Sequence, residues 1–174
     1  MLLTKEQLGA IYKEAPISRI IAYVDAINES LEKYQINTLP RSRMFLAQIG
    51  HESGQLRYTE ELATGSDYEG RKDLGNTEVG DGVRYKGRGL LQITGRRNYA
   101  LCSLGLDLPL LENPELLTQP EYAALSAGWY WYNCNLNSYC DKDDFIGLTR
   151  RINGGINGLQ DRLMLYERAK QVLT

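Results

Sequence analysis

Phe45-Leu-Ala-Gln-Ile-Gly-His-Glu-Ser53 is the stretch from which the fold follows. At about 100° per residue, Phe45, Ile49 and Glu52 fall within about 60° of one another, the i, i+4, i+7 pattern of an amphipathic helix. Glu52 therefore ends a stripe that faces the core. A carboxyl group in that position is expected to lose hydration, which disfavours its ionised form and raises its pKa. Such a group suits a general acid that protonates a leaving oxygen near neutral pH. The pattern equally suits a buried glutamate paired with an arginine of a neighbouring helix.

Beyond Gly54 lies a second acidic pair, Glu60-Glu61, expected in a more open setting where a solvated carboxylate stays ionised, as a base must. Glycosidic cleavage needs two such unlike carboxyl groups across a cleft. Tyr85-Lys-Gly-Arg-Gly-Leu-Leu-Gln-Ile-Thr94 and Asn98-Tyr99 follow. Gly87-Arg-Gly89 lacks the spacing of a phosphate loop, and no strand precedes it. Its glycines are expected to let the backbone come close to a bulky ligand. Gln92, Thr94 and Asn98, at helical spacing, offer neutral groups for a water or sugar hydroxyls. Asn153-Gly-Gly155 offers an amide on a tight turn.

His51 is the single histidine, which excludes a metal site of several histidines, and no nucleophile motif adjoins it. No metal and no cofactor are expected. The three cysteines, Cys102, Cys134 and Cys140, are odd in number and lack CxxC spacing, so they read as reduced thiols. A net charge of −2 does not announce a nucleic-acid binder. Any hold on an anionic polymer is then expected from groove contacts and local basic residues such as Arg84, Lys86, Arg88, Arg96 and Arg97. The first residues carry no signal-peptide pattern, and no apolar run is long enough to span a bilayer, so no stable membrane insertion is expected.

The 174 residues suit one domain with a real core, two lobes and a groove remaining possible within it. Thr4-Lys-Glu-Gln7 is a capping box that starts a first helix. Helical periodicity then predicts Ile17 to Tyr34, Arg41 to Ser53, Leu90 to Leu104, Glu121 to Tyr132, Asp144 to Arg151 and Leu159 to Leu173. Residues 64–89 read as a long loop with at most a short hairpin. Period-2 alternation is nearly absent, and the architecture is mainly α.

Taken together, Phe45–Ser53, Leu56-Arg-Tyr-Thr-Glu-Glu61, Tyr85–Tyr99 and Arg151-Ile-Asn-Gly-Gly155 resemble glycoside hydrolase family 19, in its compact bacteriophage endolysin branch. The resemblance covers roughly residues 42–168. It implies a lysozyme-like, two-lobed helical domain with a substrate groove, residues 1–174 forming a single catalytic domain without a wall-binding module. It implies Glu52 as general acid and Glu61 as general base, with Glu60 the competing choice, in an inverting mechanism. The two carboxyl groups would then stand roughly 6.5–9.5 Å apart. Thr94 matches the residue that positions the water. Gln92, Asn98, Asn153 and Tyr85 match sugar-binding positions, and Arg162 matches an arginine near the acid.

The disulfides and several substrate loops of the plant chitinases have no counterpart here. The expected activity is therefore hydrolysis of the β-1,4 bond between N-acetylmuramic acid and N-acetylglucosamine in bacterial peptidoglycan. Chitin hydrolysis and non-catalytic glycan binding are the alternatives. The expected protein is a monomer made in the host cytoplasm that reaches the periplasmic wall through a separately encoded pore.

Overall fold

The computed structural model describes residues 2–174. The chain opens with α1 (Lys5–Ile11), and the predicted capping box is formed: Thr4 Oγ1 accepts from Gln7 N, and Gln7 Oε1 accepts from Thr4 N. α2 (Ile17–Lys33) follows Pro16, and α3 (Leu39–Glu52) starts two residues earlier than periodicity suggests. Thr38 caps α3 on Arg41 N, while Pro40 occupies the first turn, where a missing N–H costs nothing.

Residues 64–89 are not open coil. They contain 3₁₀ turns at Ser66–Tyr68 and Lys72–Leu74 and the short α4 (Asp81–Arg84). Extended pairing is confined to isolated bridges, Glu60 with Arg88 and Arg88 with Ile93. The helix expected from Leu90 begins only at Arg96, as α5 (Arg96–Leu106). Residues before it are committed elsewhere: Ile93 N and O bond Arg88, Leu90 N donates to Ala123 O, and Gly95 takes a positive φ of 91°. Gln92 and Thr94 therefore sit on a turn, and only Asn98 is helical.

After a 3₁₀ turn at Pro114–Thr118 come α6 (Pro120–Asn133), α7 (Asn137–Asp141), α8 (Phe145–Asn153) and α9 (Leu159–Val172). Two apolar cores result. The larger joins α1–α3 with α6–α9: α2 packs on α6, α3 packs on α9, and Phe45 meets the Trp131 ring edge-on at 5.0 Å between centroids. The smaller gathers Tyr85, Ile93, Tyr99, Cys102, Leu110 and Leu117. Tyr122, Trp129 and Tyr130 of α6 touch both cores, so α6 joins the two lobes. All three cysteines are free thiols.

Candidate active site

Glu52, the last residue of α3, is on the rim of the larger lobe, its side chain 26% exposed. Its partner is an arginine of a neighbouring helix, as the stripe allowed. Glu52 Oε1 accepts from Arg162 Nη2 at 2.5 Å, and Arg162, on α9, is fully buried. The same guanidinium donates to Gln48 Oε1 at 2.6 Å and to the Asn157 carbonyl at 3.1 Å. Gln48 in turn donates to Thr149 Oγ1 at 2.9 Å. Gln48 and Glu52, at i and i+4, share a face of α3, so one arginine receives both. Of the two settings that the sequence allows, the structure gives the paired one: Glu52 is held by a buried cation in a hydrogen-bonded chain across α3, α8 and α9. Next to it, His51 Nδ1 lies 2.7 Å from Asp161 Oδ2.

Glu60 and Glu61 part company. Glu60 meets Lys86 Nζ at 2.6 Å and Arg88 Nε at 3.6 Å. The Lys86 hydrogen bond, with Arg88 assisting, holds the Glu60 carboxyl below its ordinary range. Glu61 turns to the other side. Its Oε2 accepts from Gly87 N at 2.9 Å and from the Tyr68 hydroxyl at 3.1 Å. Its Oε1 is buried and has no hydrogen-bond partner among the described residues. The solvated carboxylate expected at this position is thus corrected to a partly shielded one, with one oxygen anchored and the other left free.

Gly87 explains the closeness. A Cβ there would lie 2.6 Å from both Glu61 Oε2 and Gln92 Oε1, so the glycine makes room for two side chains of the protein itself. Gly89, with φ 104°, gives way to Ser126 Oγ of α6. The close approach predicted for this segment is real, but its neighbours are internal. Tyr68 is fixed from behind: Asn76 Nδ2 donates to its carbonyl at 2.8 Å, and Asn76 Oδ1 accepts from Arg96 N. Arg96 forks onto Asp81 at 2.7 and 2.8 Å, and Asp81 also receives Thr77 N and Glu78 N.

Gln92, Thr94 and Asn98 line one cavity of about 540 Å³ together with Tyr130 of α6. Asn98 Nδ2 donates to the Thr94 carbonyl at 2.7 Å, which ties those two positions. Burial pushes the Tyr130 hydroxyl up to about 12, and the Glu52 carboxylate is among the charges that act on it. Of its lining residues, Gln92 meets Glu61 Oε2 around Gly87, and Tyr130 feels the Glu52 charge; the two carboxylates themselves stand outside the lining. Asn153 is exposed at the end of α8, its Oδ1 accepting from Asn157 N in the turn whose carbonyl binds Arg162.

Tyr85 is a further correction. It is 2% exposed in the smaller core, and its hydroxyl donates to the Leu111 carbonyl, so it supports the lobe and offers a ligand almost no surface. The basic residues expected to hold a polymer are spent internally as well. Lys86 and Arg88 serve Glu60, Arg96 serves Asp81 and Glu78, Arg84 binds the Leu111 and Glu112 carbonyls, and Arg97 binds the Asp73 carbonyl. Among the described residues no group of three His, Cys, Asp or Glu side chains gathers as a metal site.

Sequence reasoning missed Tyr68, Gln48 and Tyr130. Gln48 was findable from its i, i+4 spacing to Glu52. Tyr68 was not, because the turn that carries it has no period.

A family model described as Chitinase class I matches residues 42–172. A glycosyl hydrolase family 19 domain-containing protein of Haemophilus influenzae is 33% identical over 199 residues, spanning 95% of this chain and 94% of that protein. An endochitinase of Arabidopsis thaliana is 36% identical over 132 residues, which is 75% of this chain. The chain spans 45% of that plant enzyme, about half its length. A bacterial family 19 chitinase of known structure superposes with a TM-score of 0.80 at 23% identity, covering 99% of this chain and 95% of the other, a likeness of fold alone.

Proposed function

The chain belongs to glycoside hydrolase family 19, and from that membership we propose that it is an endolysin-like enzyme that cleaves the muramoyl β-1,4 bond of peptidoglycan with inversion. The observation that carries the reading is the unlike setting of the two carboxylates. Glu61 has one oxygen anchored by Gly87 and Tyr68 and one free; Glu52 has one oxygen fixed by Arg162.

In this reading a water lies between Glu61 Oε1 and the muramoyl anomeric carbon, steadied by the Thr94 hydroxyl. The water oxygen bonds to that carbon as Glu61 takes its proton. The bond to the leaving O4 breaks as the free oxygen of Glu52 supplies a proton to it. The leaving sugar departs with a new hydroxyl, and the muramoyl residue becomes a reducing end of inverted configuration. Arg162 sets the direction of the acid and stabilises its carboxylate once the proton has gone. Gln92, Asn98 and Asn153 are the groups that hold sugar hydroxyls and acetamido groups.

Peptidoglycan is preferred over chitin because the relative matched along nearly its whole length is bacterial and compact, whereas only about half of the plant endochitinase is matched. Those endochitinase matches favour the second reading, hydrolysis of N-acetylglucosamine polymers. No helix of the described residues is long and apolar enough to cross a membrane. In this reading the enzyme reaches the periplasmic wall through a separate pore and works as a single catalytic domain and a monomer.

The test is Glu52→Gln and Glu61→Gln, assayed on purified Gram-negative wall and on chito-oligosaccharides. Loss of clearing by roughly 100-fold or more in each, with helical circular dichroism intact, supports the roles. Retained clearing overturns them. Release of chitin fragments without wall clearing by the unmodified enzyme favours the second reading.

A further inference from the structure

The cavity that Gln92, Thr94 and Asn98 line runs on past the groups that the reaction uses. Beyond Asn98 its wall is apolar: Leu101 and Leu104, on one face of α5, are 50% and 83% exposed, and Trp129 of α6 stands with them. Two exposed leucines beside an indole, in the cavity that Gln92 and Thr94 also line, form an apolar surface that nothing in the chain covers among the described residues. Asn133 places an amide on the same wall.

From this wall we infer a specificity site for the first part of the stem peptide, the lactyl-alanyl amide carried on O3 of the muramoyl sugar; the inference rests on the peptidoglycan reading. Three observations lead there. The first is place. If the muramoyl carbon is the one attacked, its O3 substituent projects from the ring held at Gln92 and Thr94, and those two residues line the mouth of this cavity. Chitin has only a hydroxyl at that position and leaves the wall bare.

The second is charge. Among the described residues no carboxylate, ammonium or guanidinium lines the cavity. A lactyl group joined to alanine is a neutral amide with two methyl groups. The same lactyl group without its peptide is a carboxylate, and its transfer to a wall with no cation is costly. The third is size and chemistry. About 540 Å³ lies within the usual range for a small-ligand pocket. Methyl groups meet Leu101, Leu104 and Trp129, while Asn133 serves the amide. The acidic residue that follows alanine in such stems falls outside, in solvent.

The site therefore separates substrates by the state of the lactyl group. The unmodified enzyme is compared on glycan strands that bear stems and on strands stripped by an amidase, which leaves lactyl carboxylates. Stem-bearing strands are expected to be cut about tenfold faster, and Leu104→Asp, at an exposed position that the fold tolerates, is expected to bring that ratio towards one. Equal rates for the two strands with the unmodified enzyme overturn the stem site and leave the peptidoglycan reading standing. A ratio that Leu104→Asp does not change also overturns the site. If neither strand is cut while chito-oligosaccharides are, the peptidoglycan reading fails, and this inference with it.

Discussion

Glu61 and Gly87 hold each other twice: the Glu61 N–H donates to the Gly87 carbonyl at 3.0 Å, and the Gly87 N–H donates to Glu61 Oε2 at 2.9 Å. A carboxylate gripped through both its backbone and its side chain has little rotational freedom. Its second oxygen is therefore presented in one direction. Because the neighbours that a methyl group at position 87 would strike are the ends of two side chains, the backbone has no need to move. Gly87→Ala is expected to lower wall hydrolysis by roughly tenfold or more, through a misplacement of the order of 1 Å. The unfolding midpoint should change little. Full activity in this variant would mean that the grip on Glu61 does not matter.

Tyr68 is the other donor to Glu61. Burial, followed by the nearby Glu61 charge, raises its hydroxyl above the usual phenol value, so it stays protonated and donating through the neutral range. Tyr68→Phe is expected to reduce kcat several-fold with KM nearly unchanged, the pattern of an interaction that orients a reacting group without binding substrate. A rise in KM alone would reassign Tyr68 to substrate binding.

Arg162 is both a positioning residue and a structural one. Its guanidinium is fully buried and serves Glu52, Gln48 and the Asn157 carbonyl. Arg162→Met leaves those acceptors without their donor, with an expected loss of about 3 kcal/mol in stability. Chemical denaturation measures it. Arg162→Lys should recover part of the stability, since the charge remains, but little activity, since an ammonium lacks the fork that reaches Gln48 and Glu52 together.

The loop over the base has its own pH dependence. The Arg96 hydrogen bonds, aided by Glu78 and Thr77 backbone donors, hold the Asp81 carboxyl below its ordinary value. A depressed carboxylate contributes stability that is present above its unfolded value, about 3.9, and is lost as pH falls through the lower folded value. The urea midpoint of the native chain should therefore fall on going from pH 5 to about pH 3. Asp81→Asn should be less stable at pH 5 and lose less over that interval. Identical slopes for the two proteins would show that Asp81 does not carry the effect.

Much of the fold was legible because its helices are amphipathic. α2, α3 and α9 each follow a 3.6-residue pattern, α6 shows in its alanines and aromatics, and Thr4 and Gln7 announce the first helix by cap chemistry. Segment 64–89 was opaque for a physical reason: Asn76, Asp81 and Arg96 stitch it with polar side chains, and such bonds leave no period. Leu90 to Thr94 looked helical, yet its backbone groups are used by Arg88 and Ala123. The choice between Glu60 and Glu61 was also beyond periodicity, since neighbours on an extended segment point opposite ways. Partners at Lys86–Arg88, some 25 residues on, separate them. The pairing of Glu52 with Arg162 was foreseen as the bland alternative to a shielded acid. The structure gives the pairing.

The central claim is that water adds to the muramoyl anomeric carbon. Peptidoglycan digested in ¹⁸O-labelled water, reduced with borohydride and analysed by mass spectrometry reads that step directly. Labelled N-acetylmuramitol at the new ends is the expected product. N-acetylglucosaminitol ends, or unlabelled 1,6-anhydro ends, would contradict it.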